Sequence, residues 1–165
     1  MTIAFAPLTP ADFATVASLG ERIWRQHYAS IISLAQIEYM LAGRYTPEKL
    51  AAYVGASDRW LFVVRDHGAP VGYFSYAHTS PDEMKLEQLY LLAETRGRGL
   101  GARMMSHVEG HARDLGCTRV VLTVNRHNTG AIAMYEHRRY AVREAAVFDI
   151  GGGYVMDDFI MQRSL

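Results

Sequence analysis

The sequence predicts an α/β fold, a mixed sheet flanked by helices, in one domain over residues 1–165. Three observations predict it. Runs of β-branched and aromatic residues alternate with amphipathic segments along the whole chain. A strand leads straight into a glycine-rich turn and a helix, followed by another strand, which calls for a right-handed strand-helix-strand crossover. Finally, 165 residues, 50% of them hydrophobic, suit a single core, and no linker or internal repeat divides them.

In order, Ile3 to Leu8 reads as an opening strand, and Thr9-Pro10 supplies a capping residue and a proline suited to the first helical turn. Phe13, Val16, Ala17, Ile23 and Trp24 recur at helical spacing, so a helix should run to about Tyr28. Ser33-Leu34-Ala35-Gln36 has the form of a capping box for a second helix through Leu41, and Thr46-Pro47 opens a third that ends near Gly55. Trp60 to Arg65 and Val71 to His78 form a hairpin about the Asp66 to Pro70 turn. A further strand, Met84 to Leu92, precedes the glycine-rich turn, and the helix from Gly99 to Leu115 aligns Leu100, Met104, Val108 and Leu115 on one face. Arg119 to Val124 is apolar almost throughout, as a central strand should be. Asn128-Thr129 caps a helix to about Arg138, and strands Ala141 to Ile150 and Tyr154 to Met161 close the chain around Gly151-Gly152-Gly153.

Lys plus Arg and Asp plus Glu balance at 17 each, so the overall field gives no reason to expect nucleic acid or an anionic membrane as partner. Cys117 is the only cysteine, which excludes an internal disulfide framework and fits a reducing cytoplasm. Met1 to Pro10 lacks the pattern of a signal peptide, and no run reaches the roughly 18 apolar residues of a membrane span. A cytoplasmic location is therefore expected.

Arg96-Gly97-Arg98-Gly99-Leu100-Gly101 is a device for binding phosphate. The first N–H groups of a helix lack internal partners and point at an anion, and the helix dipole adds to the attraction. Glycines remove the Cβ atoms that would hold a pyrophosphate off the backbone, and Arg96 and Arg98 add charge. Ala102-Arg103 follows where a triphosphate-binding loop needs Lys and Ser or Thr, and the glycines are neither spaced nor placed as in a dinucleotide fingerprint.

This segment resembles the R/Q-x-x-G-x-G/A signature of the GCN5-related N-acetyltransferases, and Leu86 to Leu115 is similar to that family's cofactor-binding strand, turn and helix. Asn125, Asn128, Ala131 and Tyr135 resemble its second signature. The resemblance is fullest over Trp60 to Tyr140, and the element order agrees throughout. It implies the family's fold, a mostly antiparallel sheet splayed at the cofactor site, and acetyl-coenzyme A as cosubstrate without a metal. It also implies that backbone groups of Leu89, Tyr90 and Leu91 pair with pantetheine, that the turn from Arg96 to Ala102 holds the pyrophosphate, and that Asn128 contacts the cofactor while capping its helix.

Acetylating an alkylammonium, with its pKa of about 10, needs a base for the amine and an acid for the departing thiolate. Glu87 stands where spermidine/spermine acetyltransferases and relatives carry a glutamate, which implies the base; its alternative is a strand-face carboxylate paired with a cation. Tyr135 stands where the family places a tyrosine near the sulfur, which implies the acid; its alternative is packing. Arg138-Arg139-Tyr140 departs from the Gly-Phe of many relatives and puts the local turn in question.

Other constellations carry less. His107 and His111 have a metal-ligand spacing but no third ligand nearby in sequence, so metal binding is discounted, and His127 and His137 read as surface residues. Asp157 and Asp158 neighbour each other on a strand, so only one can face any given site; a solvated edge is expected for the pair, attraction of an amine being the alternative. Trp24, Tyr28, Tyr39, Tyr45 and Tyr53 read either as core or as an acceptor wall suited to cation–π contact. Resemblance of residues 23–50 and of the chain's end to bacterial polyamine-acetylating relatives implies a polyamine or other small primary amine as acceptor. A protein N-terminus or lysine, or a non-catalytic role as acyl-coenzyme A sensor, are the other readings. The Gly151 to Tyr154 edge could serve a homodimer.

Overall fold

A computed structural model describes residues 2–165. Seven strands form one mixed sheet: β1 (Ile3–Pro7), β2 (Arg59–Asp66), β3 (Ala69–Ser80), β4 (Glu83–Leu91), β5 (Arg119–Asn125), β6 (Ala141–Gly151) and β7 (Tyr154–Ser164), in spatial order β1-β2-β3-β4-β5-β7-β6. Every pairing is antiparallel except β4 with β5. The helices are α1 (Phe13–His27), α2 (Leu34–Arg44), α3 (Pro47–Ala51), α4 (Leu100–Asp114) and α5 (Thr129–His137). The expected α/β class and element order are those observed.

Local chemistry sets most boundaries. The Asp12 carboxylate accepts from the Thr9 backbone N–H and hydroxyl, both at 3.0 Å, closing a short 3₁₀ turn before α1. Ser33 Oγ accepts from the Gln36 N–H at 3.1 Å and Thr46 Oγ1 from the Lys49 N–H at 3.3 Å, so both predicted caps are made. Two helices differ in length from expectation. α2 continues to Arg44, with Tyr45 at its C-cap buried in the core, whereas α3 stops at Ala51 ahead of Gly55 in the left-handed region (φ 68°).

The two faces of the sheet are covered differently. Neighbouring residues on a strand point to opposite sides. On β3, Phe74 and Tyr76 meet His107 and His111 of α4, while Tyr73 meets Tyr45 at the end of α2. Met104, Met105, Val108 and Ala112 of α4 and Val16, Leu19 and Ile23 of α1 are buried in one continuous core. His107 and His111 are thus spent on aromatic packing, His111 also sharing a 2.8 Å hydrogen bond with the Tyr76 hydroxyl. Cys117 is buried after α4. No helix among the described residues is long and apolar enough to cross a membrane.

Candidate active site

The site begins at an irregularity in β4. Ser75 pairs with Gln88 and Tyr76 with Leu86, so Glu87 is an extra residue bulged out of the ladder. Pairing of β4 with β5 covers Glu83 to Leu86 and ends there. Beyond the bulge the two parallel strands part, leaving Leu89, Tyr90 and Leu91 paired to β3 on one side alone and Thr123 exposed on a strand that is otherwise mostly buried. A cavity of about 1000 Å³ fills the wedge. It runs from the turn before α4 to the ends of α1 and α2.

At one end lie Arg96, Gly97, Gly99, Leu100, Gly101 and Ala102. Gly97 and Gly99 take φ of 78° and 75°, which side chains rarely adopt, and no atom lies within 4 Å of where their Cβ atoms would be. Leu100 is buried and anchors the start of α4, whose first internal bond, Arg103 N–H to Gly99 C=O, spans 3.2 Å. The preceding N–H groups face the cavity end, a setting for a pyrophosphate. The Arg98 side chain goes elsewhere: it pairs with Asp66 at 2.7 Å and does not line the cavity. Arg96 lies 3.4 Å from His27 Nδ1, and burial together with that guanidinium holds the imidazole below its usual pKa.

On the far wall, Asn125 Oδ1 accepts from the His127 N–H (2.9 Å) and Asn128 Oδ1 from the Ala131 N–H (3.4 Å), which fixes the entry to α5. Tyr135 is buried, lines the cavity and leans on Tyr140. Burial, with Tyr90 nearby, raises its pKa, so its hydroxyl keeps its proton. Glu87 is exposed at the cavity's other margin, where its Oε1 accepts from the Tyr53 hydroxyl at 2.7 Å. That contact and burial push Tyr53 up to about 12. His127 stands exposed on the rim and His137 is exposed away from it.

The early aromatics divide. Trp24 and Tyr28 line the cavity and pack against Tyr90, the Tyr28 and Tyr90 hydroxyls lying 3.1 Å apart. Tyr45 belongs to a buried network with Tyr73 and Gln88. Tyr39 donates to the Ile150 carbonyl at 2.9 Å and holds the β6–β7 hairpin.

One expectation is overturned. Asp157 is at the surface, 3.1 Å from Arg126, but Asp158 is 6% exposed and lines the cavity, not a solvated edge. The reason is that β7 inserts between β5 and β6, which pairs Asp158 with Asn125 in the sheet interior. Its burial, with Asp157 adjacent, pushes the carboxyl up to about 6. Arg44, at the end of α2, was not singled out in sequence because nothing local distinguishes it; its guanidinium lies 4.9 Å from the Trp24 ring centroid and lines the same cavity.

Comparison with known proteins agrees with this geometry. Residues 20–139 match the acetyltransferase (GNAT) family model. An uncharacterized N-acetyltransferase of Mycobacterium tuberculosis is 30% identical over 158 residues, covering 96% of this chain and 99% of the relative. A thialysine N-epsilon-acetyltransferase of Bos taurus is 34% identical over 64 residues, 39% of this chain and 38% of that one. Among solved structures, a PaiA N-acetyltransferase from Thermoplasma acidophilum in complex with coenzyme A superposes with a TM-score of 0.83 at 22% identity, each chain covered to 100%. A parted parallel strand pair with a left-handed glycine turn, together with a family match over most of the chain, leads to one conclusion: this chain belongs to the acetyltransferase (GNAT) family.

Proposed function

We propose that the protein, as one domain over residues 1–165 working in the cytoplasm, transfers the acetyl group of acetyl-coenzyme A to a small primary amine. The observation that carries this is the wedge between β4 and β5, open at one end to a glycine turn and at the other to an aromatic pocket. The residues present fit the cosubstrate: the glycine turn and Arg96 for pyrophosphate, the free edge of Leu89 to Leu91 for pantetheine, and Asn128 on the opposite wall. When bound, acetyl-coenzyme A supplies the activated acyl group as a thioester.

The chain's residues then divide the work. A β4 N–H faces the acetyl carbonyl, a donor of the kind worth about 3 kcal/mol in a transition state. Glu87, oriented by Tyr53, removes the ammonium proton through water. The amine nitrogen bonds to the carbonyl carbon, the carbon–sulfur bond breaks as Tyr135 gives its proton to the sulfur, and the second proton lost by the nitrogen restores the tyrosine through water. Two carboxylates, Glu87 and Asp158, border the cavity and suit an amine acceptor, the class to which polyamines belong. The thialysine-acetylating relative, similar over 64 residues, supports a small amine more broadly. No nucleic acid or membrane is part of this reading. β6, a free edge with Val147 65% exposed, is offered as the place for a second copy, which sedimentation would test.

Thiol release with acetyl-coenzyme A against polyamines, amino acids and short peptides tests the reaction. Turnover with small amines that falls about 100-fold in Glu87→Gln and Tyr135→Phe, with coenzyme A affinity kept, is expected. Full activity in both variants would overturn their roles, and acetylated peptides would replace the small amine by a protein acceptor.

A further inference from the structure

Two charged side chains that line the cavity lack a counter-charge. Asp158 Oδ1 is buried without a hydrogen-bond partner among the described residues. A buried carboxylate left this way costs several kcal/mol in an apolar setting, and such a group calls for a missing partner. Arg44 is half-buried against Trp24, and no carboxylate lies within ion-pair distance of it among the described residues. By contrast, Arg22, Arg25, Arg65 and Arg98 are each paired with an acid.

The two charges share one space without neutralising each other. Both line the cavity, and they form no ion pair. Tyr90 lies in the field of both, Arg44 favouring ionisation of its hydroxyl and Asp158 opposing it. The Tyr28 and Tyr90 hydroxyls, 3.1 Å apart, line the same cavity and supply polar groups beside the two charges.

We propose that the acceptor is an amino carboxylate, a small zwitterion whose ammonium docks on Asp158 and whose carboxylate docks on Arg44 within the one cavity that both line. The inference rests on the N-acetyltransferase reading above and narrows its acceptor. A polyamine satisfies Asp158 but sets its next ammonium in the reach of Arg44, a like charge in a half-buried site where repulsion is poorly screened. An amino carboxylate completes both ends. The reacting amine and the carboxylate are set apart by a carbon chain, since the protein groups that receive them are not in contact.

Lysine and cadaverine test this, because they share an alkylamine and differ by one carboxylate. The expected result is a kcat/KM for lysine about tenfold or more above that for cadaverine and spermidine, carried by KM. Arg44→Gln should erase that preference by raising KM for lysine and, with the like charge gone, lowering it for cadaverine, and Arg44→Lys should restore part of it. Asp158→Asn should raise KM for both amines. Equal or better turnover of cadaverine or spermidine, or an unchanged lysine preference in Arg44→Gln, would overturn the proposal and leave the acetyltransferase reading intact. Silence with every amine would also overturn it, and calorimetry with coenzyme A would then report on the family reading separately. Coenzyme A affinity and thermal melts of each variant, matched to the parent protein, show that the variants are folded.

Discussion

Glu109 and Asp158 are both buried carboxylates, 2% and 6% exposed, and the fold treats them in opposite ways. Glu109, on α4, receives Arg138 at 2.6 Å, Arg163 at 3.0 Å and the Tyr140 hydroxyl at 2.8 Å. Those partners come from the end of α5, from β7 and from the entry to β6, so one carboxylate ties four elements together. Asp158 faces a cavity and has an oxygen with nothing on it. A charge buried with all its partners ties the fold together, whereas one buried without them calls for a partner from outside, which is the role proposed for Asp158.

The largest effect that could break this contrast is at Glu109. Glu109→Gln leaves two guanidiniums facing each other without a counter-charge and should cost about 3–5 kcal/mol in denaturant unfolding. A loss under about 1 kcal/mol would mean that the network is ornamental. Asp158→Asn should do the reverse. Its folded pKa is raised from 3.8 to about 6, so the folded protein holds its proton more tightly and loses stability as pH rises between those values. Removing the carboxylate should therefore stabilise the ligand-free protein by up to about 3 kcal/mol above pH ~6, with the gain vanishing near pH ~4. The charged and titratable groups near it are Asp157 beside it and Tyr90 on β4, and Tyr28 and Arg44 line the same cavity. Thermal melts at about pH 7.5 and 4.5 check the sign; a destabilised variant at the higher pH would show that Asp158 is structural.

Smaller effects sharpen the comparison. Tyr140→Phe removes one donor from an ionised acceptor and should cost about 1.5–2 kcal/mol, measured by the same unfolding curves. Arg139→Gly should be neutral or stabilising by about 0.5–1 kcal/mol, because Arg139 holds φ at 71°, a left-handed conformation that glycine enters freely.

That last position shows how much could be read in advance. Arg138-Arg139-Tyr140 breaks the Gly-Phe pattern, and sequence left the turn in question. In the structure Arg139 accepts the strained conformation itself, while Arg138 and Tyr140 are recruited to Glu109. The pairing spans 29 and 31 residues, so no local rule exposes it. The left-handed turn at Arg96 to Gly101 was readable because contiguous backbone makes it, and so were the caps at Ser33 and Thr46. Asp158 was not. Its burial depends on the strand order β5-β7-β6, which places the last strand inside the sheet, and an acidic pair near a chain end gives no sign of that. Arg98 illustrates the converse: the motif marks its position, but only the meeting of β2 with the turn shows its side chain bound to Asp66.

The parted strands also have a mechanical side. The halves β1-β2-β3-β4 and β5-β7-β6 are stitched through the pairing of Glu83 to Leu86 with Arg119 to Leu122, a seam shorter than any ladder within either half and far shorter than β3–β4 and β6–β7. A short seam resists opening less than a long one, and under the proposed reading a pantetheine arm laid along the Leu89 to Leu91 edge would act as a splint across it. Amide protons of β5 beyond Leu122 should then exchange more slowly with coenzyme A present, making the cosubstrate a piece of the scaffold for as long as it stays.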